Sequence, residues 1–280
     1  MQKFLFIAIL CLVSSVGLRQ AQAKKKGKSA RAAKAEVKQT QTKEVADAIS
    51  GLLNTDPEKV LSSIGVLAAS GAKGAAAPLV DLLRTGPRND ITNAAIQSLG
   101  LIAHPESLPV LIEYLNHRRP DARIAAIYAL DSYQDVKVTE ALADALRDSD
   151  KEVRSTAALT LGKHGNESTV SILFKALERG VHEAAISIGQ LGTEKHAVQL
   201  SAQLGKLDIN VLLPGFDEFL RREDFPKKGK LAILNDLFEL AGPDVRRFAV
   251  AYKASFPPGT TEENELFKMV SRMVRRIQED

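Results

Sequence analysis

The sequence predicts an all-α fold, a solenoid of stacked antiparallel helical hairpins closed by a helical C-terminal cap. Three observations carry this expectation. Apolar positions recur every 31 residues: Val60, Ile91, Ala122 and Val153 each open a segment, and the segments align as VLSSIGVLAA, ITNAAIQSLG, ARIAAIYALD and VRSTAALTLG. Within each unit the apolar residues fall at helical spacings, giving one buried stripe per helix. The composition agrees, since 45% of the 280 residues are hydrophobic while aromatics make only 5% and Trp is absent, which suits close-packed helices better than an aromatic-rich sandwich.

The first helix of each unit is read from two columns, Ile64, Ala95, Ala126 and Ala157, and Ala68, Leu99, Leu130 and Leu161. Start signals precede it in TDPEKV, RRPDAR and DSDKEV. There Asp56 and Asp150 can accept from the open N–H groups of the first turn, and Pro57 and Pro120 suit that turn because proline lacks the N–H that would go unpaired. The second helix is read from Leu79, Val110, Ala141 and Ile172, from Val80, Leu111, Leu142 and Leu173, and from Leu115, Leu146 and Leu177. The short connections ASGAKG, AHPES, YQDVK and KHGNES allow an antiparallel hairpin. Alanine pairs at 94 and 95, 125 and 126, 157 and 158, and 184 and 185 permit close approach between neighbouring helices. One hairpin cannot cover its own stripe, so about three stacked units are the minimum and each end needs a cap.

VRSTAALTLGKHG resembles the HEAT repeat, in the roughly 30-residue form of the phycobilisome-lyase-type HEAT-like group, through Val153, Arg154, Ala157, Leu161, Gly162 and Gly165. The resemblance covers about residues 44 to 204 and returns in GPDVRRFAV at Gly242 to Val250. It implies a binding surface rather than a particular chemistry. The domain reading is a signal peptide at 1–23, a basic disordered linker at 24–43, the HEAT-like solenoid at 44–204, and degenerate helical repeats with a cap at 205–280.

The N-terminal segment is a separate object. A basic Lys3, an apolar run from Phe4 to Leu18 and the small-x-small Ala21-Gln22-Ala23 form the pattern of a cleaved secretory signal. The fifteen residues between Lys3 and Arg19 fall short of the about 20 that span a bilayer, so no transmembrane span is expected after cleavage. The expected location is periplasmic or extracellular, in a bacterial cell envelope. Cys11 is the only cysteine, so a cleaved chain forms neither a disulfide nor a thiolate metal site. Of the net charge of +4, the signal carries +2 and residues 24–43 carry +7, which leaves −5 on the remainder. The basic segment could meet anionic envelope polymers or lipid headgroups, while an acidic body on an exported chain speaks against nucleic acid.

The stretch GVHEAAISIGQLG, Gly180 to Gly192, tests the enzymatic alternative. HEAT-like deoxyhypusine hydroxylases carry His-Glu pairs on repeated helices to hold two irons, and His182-Glu183 looks like one such pair. The matching positions of the other units are Arg154-Ser155, Arg123-Ile124 and Thr92-Asn93, so the ligands that a di-iron site needs are missing. His182 and Arg123 are therefore expected on the surface or at the seam between repeats. A lyase-like enzyme is the other catalytic possibility, and export removes such an enzyme from its intracellular substrates. His104, His117, His164 and His196 make no zinc pattern, and no phosphate loop or nucleophile elbow occurs. Asp148 and Asp150 fit turn and capping roles. No catalytic residue, metal or cofactor is expected.

The second helices are expected to line the concave side of a HEAT stack. Glu113, Asp144 and Lys175 share one column there, and Asn116, Arg147 and Glu178 share the column three residues on, the same helical face. These six are the candidate binding residues, and mixed charges of this kind suit a polar protein or peptide partner. The last quarter holds seven of the eight Phe residues outside the signal. Its Pro214-Gly215 and Pro226 predict turns and shorter helices. The closing segment predicts one amphipathic cap helix, started by a Thr260-to-Glu263 box and carrying Leu266, Val270, Met273, Val274 and Ile277 inward. Its Lys268, Arg272, Arg275 and Arg276 would also suit a membrane surface.

Overall fold

The computed structural model describes residues 42–276, and among these every regular element is helical. Helix α1 occupies 42–51. Seven hairpins follow: α2 (Pro57–Ser70) with α3 (Ala76–Arg84), α4 (Asn89–Ile102) with α5 (Leu108–Tyr114), α6 (Pro120–Leu130) with α7 (Val136–Ala145), α8 (Lys151–His164) with α9 (Val170–Glu178), α10 (Ala184–Leu191) with α11 (Glu194–Ser201), α12 (Ile209–Arg221) with α13 (Lys227–Leu240), and α14 (Pro243–Ala254) with α15 (Glu265–Arg276). The expected signal peptide, nearly all of the basic linker, and Ile277 lie outside the described residues.

The capping expectations for the repeats hold. Asp56 accepts from the Glu58 N–H at 3.0 Å beside Pro57 at the first helical position, Asp150 accepts from Glu152 and Val153, and Pro120 opens α6. Gly71, at φ +58°, ends α2 in the left-handed conformation that a side chain disfavours. Three of the connections are more ordered than short polar loops need be. Lys73–Ala75, Pro105–Ser107 and Glu167–Thr169 form 3₁₀ turns that run directly into α3, α5 and α9.

First helices form one continuous row, each touching the next from α2 to α14, while each second helix lies against the first helix of the following unit. Small residues make the row possible. Ala95, Ala126, Ala157, Ala158 and Ala184 are fully buried, and Leu99, Leu130 and Leu161 fill the spaces between them. Polar side chains then tie each unit one repeat back. Ser187 donates to the Ala158 carbonyl at 2.7 Å, Tyr133 to Leu99 at 3.0 Å, Tyr114 to Leu83 at 3.1 Å, and Arg222 to Gly192 at 2.6 Å. Each bond satisfies a carbonyl and fixes the register between hairpins.

The C-terminal quarter departs from three expectations. Pro214 makes no turn but sits inside α12, which at 13 residues is longer than α10 or α11 at 8, and α13 has 14. Burial overrides the local signal here. Leu212, Phe216 and Phe219 are fully buried, and Gly215 brings its backbone against Ala185, so packing holds the helix through the missing N–H. The last helix starts at Glu265, and its cap is Asn264, whose side chain accepts from Leu266 at 3.0 Å and Phe267 at 3.2 Å. Thr260 instead donates to the Pro257 carbonyl, because the turn after Pro257 leaves it four residues before that cap. Val270 and Met273 of α15 are buried as expected, while Arg272 and Arg276 lie over the Phe238 ring, so part of the basic face is spent on packing.

Candidate functional site

All six candidate residues are exposed on second helices: Glu113 on α5 and Asn116 just after it, Asp144 on α7 and Arg147 just after it, and Lys175 and Glu178 on α9. Successive second helices from α3 to α9 do not meet as the first helices do. The gap between α5 and α7 is therefore an open cleft of about 280 Å³. Asn116, Asp144, Arg147 and Asp148 supply its polar lining, over a floor that includes Ile112 and Ala145. Thus the structure brings three of the six together from two repeats, and Glu113, Lys175 and Glu178 lie outside the cleft lining. Asp144 and Arg147 stand 3.9 Å apart and are both highly exposed, so their charges are largely free for a third party.

Beneath this cleft Arg123 takes the seam position, one of the two places expected for it. Arg123 is buried, not solvent-facing, and donates to Asp148 at 2.6 Å and to the His117 carbonyl at 2.8 Å. Asp148 also accepts from the Asp150 N–H, the expected turn role, so one carboxylate closes the turn and neutralises the guanidinium. Residue periodicity could not reveal the pair, because the Arg123 column holds Thr92 and Arg154 in the neighbouring units and shows no fixed chemistry.

A second hollow, missed in the sequence, lies between α1 and α3. It measures about 620 Å³ and is mostly apolar, with Ile49, Leu52, Leu53, Leu82 and Pro78 among its lining. Leu53 is 89% exposed. The available signal was its column, since Leu53 shares the 31-residue register of Leu115, Leu146 and Leu177, with Arg84 intervening.

The histidines serve local structure. His182 is exposed, and the adjacent Glu183 accepts from Ser155 at 2.7 Å, a bond between successive repeats. His196 is buried and its Nδ1 accepts from the Thr193 N–H, closing a capping box on α11. His117 stacks on Tyr114, and burial, with Arg119 and Arg118 beside it, pulls its imidazole below the ordinary value. Among the described residues no group of three or more His, Cys, Asp or Glu side chains could hold a metal ion. No helix among them is long and apolar enough to cross a membrane.

Asp131 at the end of α6 joins the next first helix through Lys163 at 2.7 Å and His164 at 2.8 Å. Burial pushes the Asp131 carboxyl up, but the hydrogen bonds from Lys163 and His164 outweigh it and hold the group below its ordinary 3.8. A depressed carboxyl contributes stability above its unfolded value, and that contribution is lost as pH falls through the folded value. Asp131→Asn should therefore lower stability at neutral pH and leave a flatter stability profile below about pH 4, measurable by urea unfolding across pH. An unchanged acid limb would remove this account.

In sequence, HEAT repeats match three overlapping stretches of the chain, residues 76–158, 108–189 and 139–208. No curated protein matches it significantly. Among solved structures it is similar to the CpcE–CpcF phycocyanin lyase complex of Nostoc sp., with 16% identity over 82% of this chain and 93% of that one at a TM-score of 0.43. It is also similar to human deoxyhypusine hydroxylase in complex with glycerol, with 18% identity over 85% and 98% at 0.40, and to a designed armadillo repeat protein, with 16% over 83% and 99% at 0.41.

Proposed function

This chain is a HEAT-repeat protein, and from that premise we propose that it is a non-catalytic scaffold that binds a protein or peptide partner on its second-helix face. HEAT repeats typically mediate protein interactions. The observation that carries the reading is the cleft between α5 and α7, where Asn116, Asp144 and Arg147 from two repeats converge with their polar groups open to solvent. The exposed charges of both signs favour a polar partner surface with complementary charges, which sets orientation and capture rate more than raw affinity. The place of action is the cell envelope, reached through the secretory pattern at residues 1–23.

The test reverses charge on the face without touching the core. An Asp144→Arg and Arg147→Glu double variant should unfold within about 0.5 kcal/mol of the parent, because both side chains are exposed. Partners cross-linked by the parent in envelope extracts should fall at least roughly tenfold, the scale of a 1.4 kcal/mol loss. Undiminished capture would remove this face from the proposal. Stoichiometric iron or zinc in the purified protein, lost in His182→Ala, would overturn the non-catalytic reading.

A further inference from the structure

The solvent side of the first-helix row carries an apolar stripe. One column crosses five successive helices at the repeat spacing: Val66 on α2, Gln97 on α4, Tyr128 on α6, Leu159 on α8 and Ile186 on α10. Val66, Tyr128 and Leu159 are exposed and Ile186 is half-buried, while Leu101, one turn beyond Gln97, is 72% exposed. The helices that bear them are close-packed, since a Cβ on Gly100 would stand 2.7 Å from the Ala129 Cα, so the column forms one surface and not five separate ridges. A single exposed leucine needs no explanation, but a stripe running across repeats marks a face that something covers.

Tyr128 stands at the middle of the stripe, 63% exposed. Of the four tyrosines, Tyr114, Tyr133 and Tyr252 each donate to a carbonyl about one repeat back. The Tyr128 hydroxyl has no partner among the described residues. A ring held in water with its hydroxyl unused is the kind of side chain that anchors interfaces.

We propose that this face binds a second copy of the chain about a two-fold axis through Tyr128, forming a homodimer that leaves the second-helix face free. Three features select a copy over a different partner. The first is order. Apolar positions flank Tyr128 on both sides, and a two-fold axis normal to the face reverses the row, which brings the copy's Leu159 beside Leu101 and its Ile186 toward Val66. The second is charge. A two-fold contact sets each charge near its own kind, so a nearly neutral face accepts it best. Across the five helices, the column and the positions one turn either side of it hold Lys163 and His182 but no carboxylate, and Lys163 is already paired with Asp131 at 2.7 Å. The third is size. The five helices have 14, 14, 11, 14 and 8 residues. At about 1.5 Å per residue and about 9 Å between axes they present roughly 800 Å² per copy, the extent of a standard stable interface.

Sedimentation of the full chain tests it. The parent should be a dimer at about 100 µM and dissociate on dilution. Tyr128→Glu and, on a different helix, Leu101→Lys should each raise the dissociation constant at least roughly 30-fold, the scale of an interface hot spot. Both side chains are exposed, so the urea midpoint should not move. The Asp144→Arg and Arg147→Glu double variant on the other face should leave the dimer intact, which separates this association from partner capture. Cross-linking reads the symmetry. In a Cys11→Ser background, a short bifunctional thiol reagent should join Leu101→Cys to Leu159→Cys when the two variants are mixed, and should join neither to itself. A monomeric parent at that concentration, a dimer indifferent to both Tyr128→Glu and Leu101→Lys, or a Leu101→Cys variant linked chiefly to itself would each overturn the proposal.

Discussion

Gly189→Ala is expected to destabilise the protein by about 2 kcal/mol or more, although alanine is the better helix former by about 1 kcal/mol. A Cβ at Gly189 in α10 would meet the Gly215 carbonyl oxygen at 2.3 Å and the Glu218 Cβ at 2.6 Å, and a Cβ at Gly215 would meet the Ala185 carbonyl at 2.4 Å. Two backbones are in contact on both sides of this seam, so neither can yield by rotating a side chain. Separating α10 from α12 would also uncover Ile188 and Phe216, both fully buried. Gly65→Ala supplies the opposite sign. Gly65 lies within α2 with nothing within 4 Å of an added Cβ, so there the substitution should stabilise by about 0.5–1 kcal/mol. Urea denaturation of the two variants reads the difference. A gain at both positions would mean that helix propensity and not backbone contact governs the row, and a loss at both would mean that neither does.

The same seam explains what could be read from the residues and what could not. The repeat, its hairpins and most of its caps were legible because they rest on local rules: a 31-residue apolar register, Asp56 and Asp150 before helices, and Pro120 at a first turn. Pro214 was misread because its local signal is a turn, whereas the helix through it is decided by Phe216, Phe219 and the contact with α10, which lie outside any short window. The cap of α15 was placed on Thr260 because the four-residue box pattern cannot tell a helix start from the turn before it.

The candidate face was legible in part. Column logic placed all six residues on the exposed side of second helices, since any residue between the buried columns must face outward. It could not say that the α5–α7 gap would open while first helices closed against each other, because that depends on side-chain volumes across helices remote in sequence. For the same reason the sequence left Arg123 between the surface and the seam. Its column permits a surface residue, and only the position of Asp148, 25 residues away, draws the guanidinium inward.

Asp148→Ala should therefore cost far more than a surface aspartate, about 3–5 kcal/mol. The Arg123 and Asp148 side chains are only 9% and 11% exposed, so removal of the carboxylate leaves a buried cation facing the His117 carbonyl alone. The loss has a second component, since the Asp150 N–H would forfeit the oxygen that closes the turn into α8. Replacing both partners by apolar residues, Arg123→Met with Asp148→Leu, should recover much of the deficit, because the cost arises from an unpaired buried charge and not from loss of attraction alone. Denaturation of both single variants and the double variant forms the cycle that isolates the pair. If the double variant were as unstable as the sum of the singles, the two groups would not be coupled. The cleft between α5 and α7 would then not depend on this ion pair to keep its floor in place.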